Sequence, residues 1–209
     1  MAIINQATKE LQVKIVYYGP AGSGKTTNLE QVHAHVQVGD SESKGKMTSL
    51  ATSSDRTLFF DFFPLETLAV KGFKTKFSLF TVPGQVIYNA TRQIVLRGVD
   101  GIVFVADSQY EKMEGNVEAF KQLQENLAAL QLDLDQIPYV LQYNKRDLPE
   151  VAPVEYLDFV LNNREVEVPA FEARASQCEG VFESLNTVSR MLLRKFLGAG
   201  ATPPGVPPA

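Results

Sequence analysis

Lys25 and Thr26 close an octapeptide, Gly19-Pro20-Ala21-Gly22-Ser23-Gly24-Lys25-Thr26, whose residue types and spacing could hold the phosphates of a nucleotide. It fits the pattern G-x-x-x-x-G-K-[ST] at every fixed position. Gly19, Gly22 and Gly24 let the backbone wrap an anion with its N–H groups turned inward, onto the positive end of a helix. In such a loop the lysine reaches the β- and γ-phosphates and the Thr26 hydroxyl binds Mg²⁺. The candidate phosphate contacts are therefore Gly19, Ala21, Gly22, Ser23, Gly24, Lys25, Thr26 and Thr27. The motif also has the context it requires: residues 11–18 read as a buried strand, and residues 27–32 as the start of a helix. A glycine-rich turn that merely contained Lys-Thr would need neither.

A phosphate loop does not say which base it serves, since adenylate kinases carry similar loops. Asn144-Lys145-Arg146-Asp147 follows a second strand-like run and so falls at a strand's carboxyl end. A carboxylate there, Asp147, can accept from guanine N1–H and the exocyclic amine together. Adenine offers neither donor and would leave a buried charge unpaired. Asn144 would contact the other edge of the base, and the Lys145 stem can cover the ring face. Thr81-Val82-Pro83-Gly84-Gln85 ends another strand. Gly84 would let a backbone N–H approach the γ-phosphate, and Gln85 could orient an attacking water.

These motifs must be positioned by the rest of the chain. It has 209 residues, 44% apolar and 21% charged, enough for one sizeable core. Runs at 13–18, 73–82, 101–107, 138–143 and 166–173 read as strands, and 57–64 as a partner of 73–82 in an antiparallel hairpin turning at Lys71-Gly72. Helical periods cover 26 to about 38, the stripe Val117, Phe120, Leu123, Leu127 and Leu130, the short 153–161, and Val181, Leu185, Val188, Leu192 and Phe196. Strands alternating with helices predict a doubly wound α/β domain with its sites at the carboxyl ends of the strands. The expected fold is a mostly parallel, six-stranded sheet flanked by helices, with one antiparallel hairpin pair. Its parts are an N-terminal arm at 1–9, a nucleotide-binding domain at 10–197 and a disordered Pro/Gly-rich tail at 198–209.

A net charge of −4 without a dense basic run gives no support to nucleic-acid binding. One cysteine, Cys178, excludes an internal disulfide framework and fits a reducing cytoplasm. The expectation is a cytoplasmic protein with no signal segment, no spanning run and no lipid anchor. His33 and His35 lie two apart on a helix and point to different faces, so a metal pair is not expected. Asp107, at a strand end, reads as the cap of the following turn. Residues 40–56 are a long polar loop, the expected first switch, ordered by γ-phosphate and Mg²⁺ and released on hydrolysis. Thr48, Thr52 and Thr57 compete for the metal contact there; Thr57 is preferred because it opens the strand preceding the second motif.

The three motifs, in this order and spacing, resemble the Ras-like small GTPases over roughly residues 10–197. Thr81 stands where that family carries Asp in the Mg²⁺ surroundings. Thr81, the Pro83-Gly84-Gln85 that follows and the form of the phosphate loop resemble the bacterial MglA group of polarity and gliding-motility GTPases. The resemblance implies P-loop NTPase architecture, GTP/GDP and Mg²⁺ as ligands, and a switch that hydrolyses GTP slowly. It also implies that Arg56, directly before Thr57, is the chain's own arginine finger. Ala175, within Glu172-Ala173-Arg174-Ala175-Ser176, best matches the turn whose N–H meets the guanine carbonyl. The implied partners are a GTPase-activating protein of the roadblock (MglB-like) kind and downstream polarity or motility effectors. Concentration at a cell pole in the GTP state is the matching expectation for localisation. Two rival readings are a nucleotide-dependent scaffold with negligible hydrolysis, prompted by Thr81 and Ala21, and a P-loop kinase. Arg92, Arg97 and Arg146 form no lid-like segment, which counts against the kinase.

Overall fold

A strand whose every residue is apolar can be stable only if both faces of its sheet are covered, and that requirement dictates the layering. The computed structural model describes residues 2–35, 48–49, 61–70, 73–84, 88–164 and 167–198. Its strands are β1 (Ile3–Asn5), β2 (Glu10–Tyr18), β3 (Thr48–Ser49), β4 (Asp61–Val70), β5 (Phe73–Thr81), β6 (Gly101–Asp107), β7 (Tyr139–Asn144) and β8 (Ala170–Glu172). Its α-helices are α1 (Lys25–His35), α2 (Asn89–Leu96), α3 (Met113–Ala129), α4 (Val154–Leu161) and α5 (Val181–Leu197). Six main strands lie in the order β4-β5-β2-β6-β7-β8. Neighbours from β5 to β8 run parallel, and β4 pairs antiparallel with β5. This is the expected sheet, extended by two short antiparallel additions, β3 on β4 and β1 on β2.

Period-2 alternation sends the central strands into two cores. Leu11, Val13, Ile15 and Tyr17 of β2 join Val103 and Val105 of β6 under α1 and α5, through Leu29, Val32, Leu185, Val188 and Leu192. Val16 and Tyr18 join Ile102, Phe104 and Leu141 on the other face, under α2, α3 and α4, through Leu96, Leu123, Leu127 and Leu157. All seven residues of β6 are buried. Because β5, β2, β6 and β7 are parallel neighbours, Thr81, Tyr18, Asp107 and Asn144 end them on one edge of the sheet.

Several elements differ from the sequence reading for identifiable reasons. β4 continues through Glu66-Thr67-Leu68 to Val70, pairing Glu66 with Lys76 and Thr67 with Thr75 before a register shift. Ladder hydrogen bonds thus hold a stretch whose side-chain pattern suggested a break. Helix α2 was not anticipated. It buries Arg92 with Val95 and Leu96, so an arginine interrupts its apolar period. On α3 the inward face is Met113, Asn116, Ala119, Leu123, Asn126 and Leu127, whereas Val117 is 45% exposed. Two asparagines occupy core positions because both side chains are bonded there. Asn116 caps the Asp107 backbone through both amide atoms, and Asn126 Nδ2 donates to the Tyr18 hydroxyl. The first helix is described to His35, so residues 36–38 of the expected span lie outside the described residues, as do 199–209 of the tail.

Leu192 is fully buried in the α1/α5 core. Leu192→Ala should destabilise the domain by about 2–5 kcal/mol through lost burial and the cavity left behind. Urea unfolding should show a lower midpoint with unchanged slope; an unmoved midpoint would mean that α5 is not docked as described.

Candidate nucleotide site

β2 leads straight into the Gly19–Gly24 loop, and α1 begins at Lys25. Asn28 N–H bonds the Gly24 carbonyl at 3.0 Å, starting the helix ladder directly beneath the loop. Gly24 has φ +101°, and a Cβ there would lie 2.1 Å from Asn144 Nδ2. Only glycine lets the loop and the base motif approach so closely. Ser23 is fully buried, and its Oγ has no hydrogen-bond partner among the described residues. An orphaned hydroxyl inside a phosphate-binding pattern fits a ligand oxygen at that point.

Lys25 is 6% exposed and donates to the carbonyls of Gly19 at 2.9 Å and Pro20 at 2.6 Å. Burial, reinforced by the positive charges of Arg92 and Lys145, lowers its pKa to about 7. The loop thus holds a lysine whose charge is costly until an anion arrives.

At the other end of the site Asn144 binds three segments together. Its Nδ2 donates to the Ser23 carbonyl at 2.8 Å, and its Oδ1 accepts from the Ala175 N–H at 2.9 Å. Both polar atoms of its amide are thus used in tying the phosphate loop to the Ala175 turn. Lys145 sits at φ +68° and donates to Asp107 Oδ2 at 2.6 Å. Asp107 also accepts from the Gln109 N–H at 3.1 Å, which is the expected turn cap, but the lysine pair is additional. Arg146 is committed to Glu172 and the Ala152 carbonyl. Asp147 is exposed. It borders a cavity of about 270 Å³ with Gly22, Gly24, Thr27, Asn144, Lys145, Leu148 and Ala175. Phosphate-loop and base-motif residues therefore line one recess. A larger cavity, about 690 Å³ between β7, α5 and Arg164, contains none of these motif residues.

Behind the recess lies a buried amide pair that sequence reading missed. Asn28 Nδ2 donates to Gln142 Oε1 at 2.8 Å, and Gln142 Nε2 returns a bond to Asn28 Oδ1 at 2.9 Å. Gln142 also donates to Ser184 Oγ at 3.0 Å, linking α1, β7 and α5. A glutamine inside the otherwise apolar run 138–143 was the available signal.

The second motif reaches the same place. Thr81 is fully buried at the end of β5, and Gly84 packs against Pro20 and Ala21 of the phosphate loop. Arg56, Thr57 and Gln85 lie outside the described residues, as does Thr52; Thr48 is described in backbone only. No group of three or more His, Cys, Asp or Glu side chains suited to a metal occurs among the described residues. The Thr26 hydroxyl is a group that could add to a Mg²⁺ ion held largely by phosphate oxygens.

The chain belongs to the ADP-ribosylation factor (Arf) family, whose model matches residues 1–192. With its phosphate loop on β2 and its Asn-Lys-Arg-Asp on β7, it is a Ras-like small GTPase, a GTP-binding molecular switch with GTP hydrolase activity. It is 50% identical over 200 residues to the mutual gliding-motility protein MglA of Myxococcus xanthus (strain DK1622), covering 96% of this chain and all of that protein.

The position of Lys25 makes binding proton-linked. An anion beside Nζ raises its pKa back toward the ordinary value, so between about pH 7 and pH 10 nucleotide binding takes up a proton and affinity falls as pH rises. The free protein should behave oppositely: unfolding restores the proton, so stability should increase with pH across that window. Calorimetric titration with GDP in buffers of different ionisation enthalpy should show uptake approaching about one proton near pH 8 and almost none near pH 6. Lys25→Ala should lose most of the binding. Equal uptake at both pH values would contradict the assignment.

Proposed function

We propose that this GTPase switches between GTP and GDP states to set cell polarity and motility, and that a roadblock-fold activating protein of the MglB kind accelerates its slow hydrolysis. The observation that carries the nucleotide reading is the single recess shared by the phosphate loop and Asn144-Lys145-Arg146-Asp147. The 50% identity to a protein named for gliding motility supports the cellular role. The domain spans 10–197, with the tail from 198 dispensable for turnover. Cytoplasmic localisation fits the described helices, none of which is long and apolar enough to cross a membrane. Concentration at a cell pole would accompany the GTP state.

In this reading the loop amides from Ala21 to Thr27, with Gly19, hold the phosphates, and Lys25 neutralises the β/γ charge. Thr26 and Thr57 would hold Mg²⁺, whose positive charge would offset negative charge on the phosphates. Thr81 would bring a hydroxyl but no negative charge to the Mg²⁺ surroundings, so magnesium should be held less tightly than with a carboxylate there. Asp147 reads the two donors of guanine, and Ala175, already held by Asn144, meets the base from the far side. Gly84 offers its N–H to the γ-phosphate. Gln85 orients the attacking water and Arg56 stabilises the γ-oxygens; both need the activator to hold them in place.

Base reading is tested by Asp147→Asn, which should shift preference from GTP toward XTP, whose C2 carbonyl can pair with an amide. Unchanged affinities for both nucleotides would refute it. Arg56→Ala and Gln85→Leu should each leave GTP affinity within about threefold, yet slow activator-stimulated hydrolysis at least about a hundredfold. The double variant should be little worse than either alone. Full stimulated turnover in Arg56→Ala would place the arginine finger on the partner.

A further inference from the structure

By side-chain volume, Arg92 of α2 heads the fully buried residues, at 1% exposed. A guanidinium in that position needs acceptors, and it has several. Nε donates to the Pro83 carbonyl at 2.9 Å and Nη2 to the Gly84 carbonyl at 2.5 Å. Nη1 donates to Gln122 Oε1 and, at 3.5 Å, to the Tyr18 hydroxyl, while the guanidinium lies 5.6 Å from the Tyr18 ring centroid. Gln122 in turn donates to Glu118 at 2.7 Å, and the Tyr18 hydroxyl accepts from Asn126 at 3.1 Å. The guanidinium is therefore anchored to β2 and α3 while its fork spans two consecutive peptide carbonyls. Among the described residues no carboxylate bonds it directly.

The clamped peptides are those that reach the phosphate loop. A Cβ on Gly84 would lie 2.2 Å from Ala21 Cα and 2.3 Å from Ala21 N, so the Gly84 peptide rests on the lip of the loop. Beside this segment a cavity of about 410 Å³ opens between Pro20, Ala21, Gly84, Gly115 and Gln122. The segment thus has a seat and a space into which it can withdraw. A fork across two carbonyls specifies both the position and the orientation of a peptide, which a point charge cannot do.

We propose that Arg92 is a positioning residue: by clamping the Pro83 and Gly84 carbonyls it holds the Gly84 peptide where only a third phosphate meets it, so that the site distinguishes GTP from GDP. This rests on the nucleotide reading given under Proposed function. A diphosphate has no atoms at the Gly84 seat, and a contact absent from one ligand cannot contribute to its affinity.

The test measures affinities of full-length protein for GTPγS and for GDP in the parent, Arg92→Gln, Arg92→Lys and Gln122→Leu. Arg92→Gln should weaken GTPγS about tenfold, the effect of misplacing one hydrogen bond to a charged group, with GDP within about twofold. Arg92→Lys should recover little, because an ammonium cannot fork two carbonyls. Gln122→Leu keeps the arginine but removes one anchor, and should lower the GTPγS-to-GDP preference by about threefold. It serves as the reporter if Arg92 variants fold poorly. Equal loss of both nucleotides, or an unchanged ratio in every folded variant, would overturn the positioning role. A parent that bound neither nucleotide would overturn the nucleotide reading itself, and this inference with it.

Discussion

Lys25 is an amine held in a buried loop, where its charge is disfavoured and its described hydrogen bonds go to neutral carbonyls of that same loop. Burial alone penalises its charge, and two further cations, Arg92 and Lys145, add to the penalty. Lys145 relieves part of this through Asp107, but neither Lys25 nor Arg92 has a described carboxylate partner. The arrangement is costly for an isolated protein and favourable for one that takes up a highly charged anion. Lys25, Arg92 and Lys145 together make a local concentration of basic groups.

Such a charge is useful only if it is held in place, and the sheet does this. Four parallel neighbours end on one edge, so the phosphate loop, the second motif, Asp107 and Asn144 start from a rigid line. Asn144 then fastens the loop to the Ala175 turn, and the Asn28–Gln142–Ser184 network fastens the helix beneath the loop to the base strand. Bonded amides inside a core specify register more tightly than apolar contacts would, because each misplacement leaves a buried polar atom unpaired. The phosphate and base ends of the recess are therefore mechanically one unit.

The second motif is attached differently. Gly84 is not stitched to Asn144 or to the amide network; it rests on Ala21 and is held from behind by Arg92. A recess tied together at both ends with one separately held flank suits a two-state switch, since in the proposed reading the flank would respond to a terminal phosphate without disturbing the base end.

Phosphate and base motifs were legible in the chain because each is local: spacing between neighbours in sequence is spacing in space, and glycine, lysine and carboxylate chemistry is specific. The mostly parallel sheet and its antiparallel hairpin were legible for a related reason, since nearly continuous apolar runs such as 101–107 demand cover on both faces. The strand order came only from the structure. What the tertiary structure alone decided are the contacts between distant segments. Sequence periodicity assigned Arg92 no place; its burial follows from Pro83, Gly84, Tyr18 and Gln122 converging on it. Asn116 and Asn126 sit in the core because Asp107 and Tyr18 supply partners, and Asp107 acquires Lys145 only when β6 and β7 lie side by side. A polar side chain's place inside or outside depends on whether acceptors and donors converge on it, and that convergence is a property of the folded packing, which no periodicity in the chain encodes.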